Sequence, residues 1–247
     1  MRLTVLGSNG TYPTPGNPAS GYAVHTPTAT VLLDLGPGVF VVSIAAGITP
    51  DAVVLTHVHP DHCADLFPLF SAIRFGHPHR WGLPVMVPAG LVDRVAVFLG
   101  AGDTHDLHRV FAFDEVAPGD QRRVGDLTIR FGAATHPVPA LVVSVEDGRA
   151  RLVYSGDTGP GGDLPAVAAG CDLLLCEATL QGTPGADRYP YHLYATEAGA
   201  IARVARAQRL LLTHLGPTLD PQVSLAEAVA AFDGPVDRAI PGMEVDL

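Results

Sequence analysis

Apolar residues recur along the chain in short runs separated by glycine- and proline-rich breaks. Runs at 2–6, 21–25, 30–35, 51–55, 84–88, 110–114, 124–131, 140–146, 151–155, 171–175, 209–213 and 236–240 read as β-strands. Segments near 38–47, 63–75, 91–99, 163–169, 196–207 and 224–232 carry helical spacing instead. The clearest helix is Thr196-Glu197-Ala198-Gly199-Ala200-Ile201-Ala202-Arg203-Val204. Thr196 is its expected N-cap, and Ala198, Ile201, Ala202 and Ala205 share one face. In each half, short strands come first and strand–helix alternation follows. That order predicts an α+β chain in which two sheets pack together with helices outside. No polar linker or low-complexity tract divides residues 1–247, so one domain is expected.

Composition adds limits. At 247 residues and 47% apolar, the chain can bury a substantial core. No apolar run approaches the roughly 18 residues that span a bilayer. Met1-Arg2-Leu3-Thr4-Val5-Leu6-Gly7 reads as a strand ending in a glycine turn, not a signal peptide, so a cytoplasmic location without membrane attachment is expected. Cys63, Cys171 and Cys176 lack the spacing of a disulfide framework or zinc knuckle and read as buried free thiols. All 15 basic residues are arginine, and the net charge of −10 argues against a broad polyanion-binding surface. A small phosphorylated substrate stays compatible, because bound metal sets its own local field. A mean hydropathy of +0.26 is compatible with a homodimer.

The chemistry concentrates in Thr56-His57-Val58-His59-Pro60-Asp61-His62, just after the apolar run Asp51-Ala52-Val53-Val54-Leu55. Three imidazoles and a carboxylate, placed where an α/β sheet presents its loops, form a dense set of metal donors. Alternate side chains 57, 59 and 61 are expected on one side of the loop and His62 on another, which suits two ions. Three further donors also follow apolar strands: His136 before Pro137, Asp157 after Leu152-Val153-Tyr154-Ser155-Gly156, and His214 after Leu210-Leu211-Leu212-Thr213. Each alone is equally a capping aspartate or a backbone-satisfied histidine; together with 57–62 they make a seven-donor set. His77, His79, His105 and His108 lie in polar surroundings and read as surface residues. His25 ends an early strand with no assigned role.

His-x-His-x-Asp-His, followed by a lone His, a lone Asp and a final His at strand ends, resembles the metallo-β-lactamase superfamily nearly end to end. The early Leu32-Leu33-Asp34-Leu35-Gly36-Pro37-Gly38 segment is similar to that family's strand and turn before the metal loop. The resemblance implies a four-layer αβ/βα sandwich with a dinuclear site at one edge. It implies that His57, His59 and His136 hold one ion, that Asp61, His62 and His214 hold the other, and that Asp157 bridges them. The ions would be Zn²⁺ or Mn²⁺.

Cys176-Glu177-Ala178-Thr179 resembles the His-Glu-Ala-Thr motif of the ribonuclease Z-like branch, and His192 with Thr196-Glu197-Ala198 resembles the histidine motif that follows it. The resemblance implies that His192, supported by Glu177, protonates a leaving oxygen, while Asp61 orients the attacking water besides binding metal. Asp34 would support a ligand imidazole. Arg74, Phe75 and Trp81 in the 69–83 segment could meet phosphate and base at the rim. His136 and Asp157 stand only 21 positions apart, room for one hairpin around Asp147-Gly148 and not for the transfer-RNA-docking arm of ribonuclease Z. The expectation is therefore a dinuclear hydrolase of small, including cyclic, phosphodiesters that uses a bridging hydroxide, with no transfer-RNA binding. A thioester or lactone hydrolase, a ribonuclease Z-like nuclease, a diiron redox protein and a metal-binding regulator stay open as alternatives.

Overall fold

The apolar runs form two seven-stranded mixed sheets packed face to face in the computed structural model. It describes the backbone of residues 1–247 and the side chains of all but 78 and 101–104. The first sheet holds β1 (Arg2–Gly7), β2 (Gly21–His25), β3 (Thr30–Leu33), β4 (Ala52–Val54), β5 (Leu83–Val87), β6 (Phe111–Glu115) and the C-terminal β14 (Glu244–Asp246), in spatial order β14-β1-β2-β3-β4-β5-β6. The second holds β7 (Gln121–Val124), β8 (Leu127–Ala133), β9 (Leu141–Glu146), β10 (Arg151–Tyr154), β11 (Leu173–Glu177), β12 (Leu210–Thr213) and β13 (Val236–Arg238), in order β13-β12-β11-β10-β9-β8-β7.

Helices cover both outer faces. Over the first sheet lie α1 (Val39–Ala45), α2 (Pro60–Cys63), α3 (Leu66–Ser71) with its π-helical continuation Ala72–Gly76, α4 (Leu91–Leu99) and α5 (Ala101–Val110). Over the second lie α6 (Leu164–Val167), α7 (Ala195–Ala205) and α8 (Pro221–Ala231). This is the α+β, four-layer αβ/βα sandwich expected from the sequence. Strands β3 to β6 and β10 to β13 run parallel. Strands covered on both faces are apolar throughout instead of alternating. In β3, Val31 and Leu33 enter the core between the sheets while Leu32 enters the core beneath the helices. Each such buried aliphatic side chain contributes roughly 1.5–3 kcal/mol.

Three readings need correction, and two elements had none. The run expected as one strand over 124–131 is a hairpin, β7 and β8 joined at Gly125-Asp126, with Val124 opposite Leu127. Gly125 takes the left-handed φ of 56° that this two-residue turn requires. The strand expected at 171–175 runs from Leu173 to Glu177, which puts Glu177 at a strand end. Tyr194, not Thr196, is the N-cap of α7, and Glu197 accepts the Tyr194 backbone N–H at 3.0 Å. α5 and β14 had no matching reading, since α5 carries no broad apolar stripe and β14 is only three residues long. Among the described residues, no helix is long and apolar enough to cross a membrane.

Candidate metal centre

Strands β8, β10, β11 and β12 end at one edge of the second sheet, and β4 of the first sheet ends facing them. The backbone leaves β4 through buried Leu55 and Thr56 and turns at His59, which is extended (φ −66°, ψ 145°) and caps α2. Pro60 opens that helical turn, where its missing N–H costs nothing. The expected alternation therefore ends at His59, and Asp61 joins His62 instead of His57 and His59. Gly36 makes this packing possible, since a Cβ there would stand 2.1 Å from the Asp61 carbonyl oxygen.

All seven sequence-predicted donors come together, in two groups that share Asp157. His57, His59, His136 and Asp157 form one; Asp61, His62, His214 and Asp157 form the other, with donor atoms in each group within 4.8 Å of one another. In the first group His59 Nδ1 lies 3.1 Å from His57 Nε2 and 3.0 Å from His136 Nε2. In the second, His62 Nε2 and His214 Nε2 are 3.2 Å apart, and His214 Nε2 lies 3.3 Å from Asp61 Oδ2. Donors about 2.0–2.1 Å from a tetrahedral ion stand about 3.3 Å apart, so these spacings suit divalent ions. Asp157 Oδ1 is buried with no hydrogen-bond partner among the described residues, although His62 Nε2 and His214 Nε2 lie 3.1 and 3.3 Å away. A buried carboxylate oxygen left so is costly unless a cation meets it.

Electrostatics point the same way. Burial pushes the His57, His59 and His136 imidazoles below the ordinary histidine range, keeping the neutral, metal-binding form. Burial also works against charge at His62, but the carboxylates of Asp157 and Asp34 outweigh it and hold that imidazole well above its usual range. This spot therefore favours positive charge. Burial opposes ionisation of Asp61 and Asp157, yet neighbouring histidines hold both carboxyls below their ordinary values.

The opposite nitrogens of these rings are also fixed. His62 Nδ1 donates to Asp34 at 2.7 Å, His136 Nδ1 to the Tyr191 carbonyl at 3.2 Å, and His214 Nδ1 to Thr179 Oγ1 at 2.8 Å. His57 Nδ1 stands 3.1 Å from Thr56 Oγ1. Fully buried Asp34 also accepts Thr56 N–H (2.7 Å), Thr56 Oγ1–H (2.9 Å) and Tyr154 O–H (2.8 Å), tying the two sheets together beneath the site. Backbone strain gathers here as well. Thr11, Asp34 and His214 have φ of 66°, 59° and 52°, and the Thr11 N–H donates to Asp61 Oδ2 at 2.9 Å. Asp34→Asn should lower affinity for the His62-side ion about 10- to 100-fold, read by competition with a chromophoric chelator. Unchanged affinity would remove Asp34 from the support of His62.

Beside Asp157, His192 Nδ1 lies 2.9 Å from Glu177 Oε1 and 4.0 Å from Asp157 Oδ2. Glu177 is fully buried at the end of β11 and accepts the Thr158, Thr179 and Leu193 N–H groups and the Thr179 hydroxyl as well. Burial disfavours charge on His192, but the hydrogen bond and charge of Glu177 prevail and raise its pKa. The segment carrying His192 is locked down from two sides. Arg188 Nη2 donates to the His192 carbonyl at 2.8 Å while Nη1 pairs with Glu197. Gly159 admits the Pro190 carbonyl so closely that a Cβ would stand 1.8 Å from it.

Sequence reading missed Thr56, Thr179, Tyr154, Thr11 and Arg188. Thr179 stands in the Glu177 motif, and Thr56 precedes His57; those neighbours were the available signals. His77, His79, His105 and His108 are exposed, and His25 joins neither metal group. The rim expected at 69–83 needs revision. Arg74 pairs with Asp106 at 2.9 Å, and half-buried Trp81 packs in the outer core with Arg109 over its ring at 4.4 Å. Phe75 is exposed.

An αβ/βα sandwich carrying a His/Asp site for divalent metal ions at its strand ends defines a metallo-β-lactamase fold. The description "Beta-lactamase superfamily domain" matches residues 30–215, and the chain belongs to that superfamily. Mycobacterium leprae protein ML1173 is 36% identical over 263 residues, covering 100% of this chain and 89% of its own. The probable metallo-hydrolase YhfI of Bacillus subtilis is 32% identical over 252 residues, covering 98% of each chain. The YhfI crystal structure matches with a TM-score of 0.85 at 28% identity, covering 99% of this chain and 98% of its own. Ribonuclease Z of Methanopyrus kandleri is 29% identical over 269 residues, covering 93% of this chain and 92% of its own.

Proposed function

We propose that this protein is a metal-dependent phosphodiesterase acting on small, including cyclic, phosphodiesters, with two divalent ions, preferentially Zn²⁺, held by His57, His59 and His136 and by Asp61, His62 and His214, and bridged by Asp157. The likeness to a probable metallo-hydrolase supports hydrolysis. One observation carries the substrate class: His192 is hydrogen-bonded to buried Glu177 at 2.9 Å beside the shared aspartate. A thiolate leaves without help, whereas an alkoxide leaving group needs a proton, so a placed acid favours an oxygen ester, such as a phosphodiester, over a thioester.

The ions, when bound, supply Lewis acidity and make a water nucleophilic near neutral pH. Asp61, ionised and fixed by the Thr11 N–H, orients that water. Because His192 Nδ1 is engaged by Glu177, Nε2 is the nitrogen available to a substrate. Protonated there, it gives its proton to the departing oxygen, and the Glu177 carboxylate stabilises the charged ring beforehand. The β9–β10 connection is a tight turn at Asp147-Gly148, which leaves no arm in that interval to dock transfer RNA. That short turn favours a small phosphodiester over transfer RNA as the substrate.

Purified protein with two ions per chain should cleave bis(p-nitrophenyl) phosphate and at least one of 2′,3′- and 3′,5′-cyclic nucleotides faster than a thioester or a lactone. A filled site with no phosphodiester cleavage overturns the proposal.

A further inference from the structure

The rings of His214, His192 and Tyr189 form a column that leads outward from the metal centre. His214 and His192 stack with centroids 5.7 Å apart and planes 20° apart; His192 and Tyr189 follow at 5.6 Å and 25°. Tyr191 meets Tyr189 edge-on at 5.6 Å and 78°. Tyr189 nevertheless stays 52% exposed, although an aromatic ring of that size normally buries most of its surface. The Arg188 and Gly159 contacts described above fix the backbone on either side of it. The result is a preorganised plate, stacked on the proposed acid and about half exposed.

We infer that Tyr189 is a specificity-determining residue, stacking a planar ring carried by the leaving alcohol of the phosphodiester, as a nucleobase is carried by its ribose. The inference rests on the proposed role of His192 at the leaving oxygen, since that role places the leaving alcohol on the Tyr189 side. Arg74 and Trp81, two of the residues first expected to meet phosphate and base, are otherwise engaged. Arg74 is committed to Asp106, and Trp81 belongs to the outer core. A plate without a hydrogen-bonding code tolerates any base, so purine and pyrimidine nucleosides should both be accepted.

Binding separates this inference from catalysis. With metal-loaded protein, isothermal titration should show adenosine 5′-monophosphate binding about 10- to 100-fold more tightly than ribose 5-phosphate, as expected of one stacked base. That ratio should fall to near one in Tyr189→Ala and survive in Tyr189→Phe and Tyr189→Trp, whose rings keep the plate. Overturning results are a ratio near one in the unmodified protein, or a ratio retained by Tyr189→Ala. Turnover of 2′,3′-cyclic AMP and glycerol 1,2-cyclic phosphate, measured alongside, tests the other claim. If neither these two nor 3′,5′-cyclic AMP nor bis(p-nitrophenyl) phosphate is cleaved by the metal-filled protein, the phosphodiesterase reading fails while the affinity ratio still decides the role of Tyr189.

Discussion

Asp157→Ala should reduce bound metal from two ions per chain to one or none and lower phosphodiester kcat/KM at least about a thousandfold. The size follows from the several kcal/mol that bound ions contribute to transition-state stabilisation, at about 1.4 kcal/mol per decade. Asp157 is the one side chain common to both donor groups, and its Oδ1 has no hydrogen bond to satisfy it among the described residues. Removing it leaves two incomplete histidine clusters, with rings as close as 4.1 Å between His57 and His62. Asp157→Asn keeps the shape but not the anionic charge and should behave nearly as poorly. Folding provides an independent readout, because a ligand that binds only the native state raises its stability. At a thousand times Kd the gain is about 4 kcal/mol. Unmodified protein should therefore melt much higher with metal than with chelator, and Asp157→Ala should show little difference between the two. A variant that retains both ions and turnover would show that Asp157 does not bridge.

Such a prediction was within reach of the sequence because each donor is a polar residue ending an apolar strand. His136, Asp157 and His214 stand out where Phe131, Tyr154 and Leu212 stop. Local chemistry hidden in that pattern was harder to read. The helical turn that Pro60 opens moves Asp61 from the His57 side to the His62 side, which strand-like alternation does not foresee. Long-range partners were less visible still. Tyr154 reaches Asp34 across 120 positions only because the two sheets face each other. The role of Thr179 depends on His214 arriving from the end of β12, 35 positions later. The rim was misplaced for a related reason. Asp106, which occupies Arg74, lies on α5, a helix without a broad apolar stripe, so the segment around 69–83 seemed free to meet a substrate.

His192→Ala should slow substrates with alkoxide leaving groups by about 10²- to 10⁴-fold, the usual span of a positioned general acid, and should barely affect a p-nitrophenyl ester. The contrast arises because p-nitrophenolate departs as a stable anion, whereas a ribose oxygen must take a proton as its bond to phosphorus breaks. The pH profile carries the sign of the mechanism. Glu177 raises the His192 pKa, so the protonated ring persists to higher pH than an ordinary histidine would allow. For alkoxide leaving groups kcat should therefore hold below that raised pKa and fall as pH rises through it. Glu177→Gln removes the carboxylate charge and should move this alkaline limb to lower pH. Because Glu177 also receives the Thr179 hydroxyl that accepts from His214, metal content must be matched before the profiles are compared. Equal losses on alkoxide and p-nitrophenolate leaving groups would strip His192 of its acid role and leave it a support for the ring column. A selective loss with a displaced limb would place the proton on His192 and its control on Glu177.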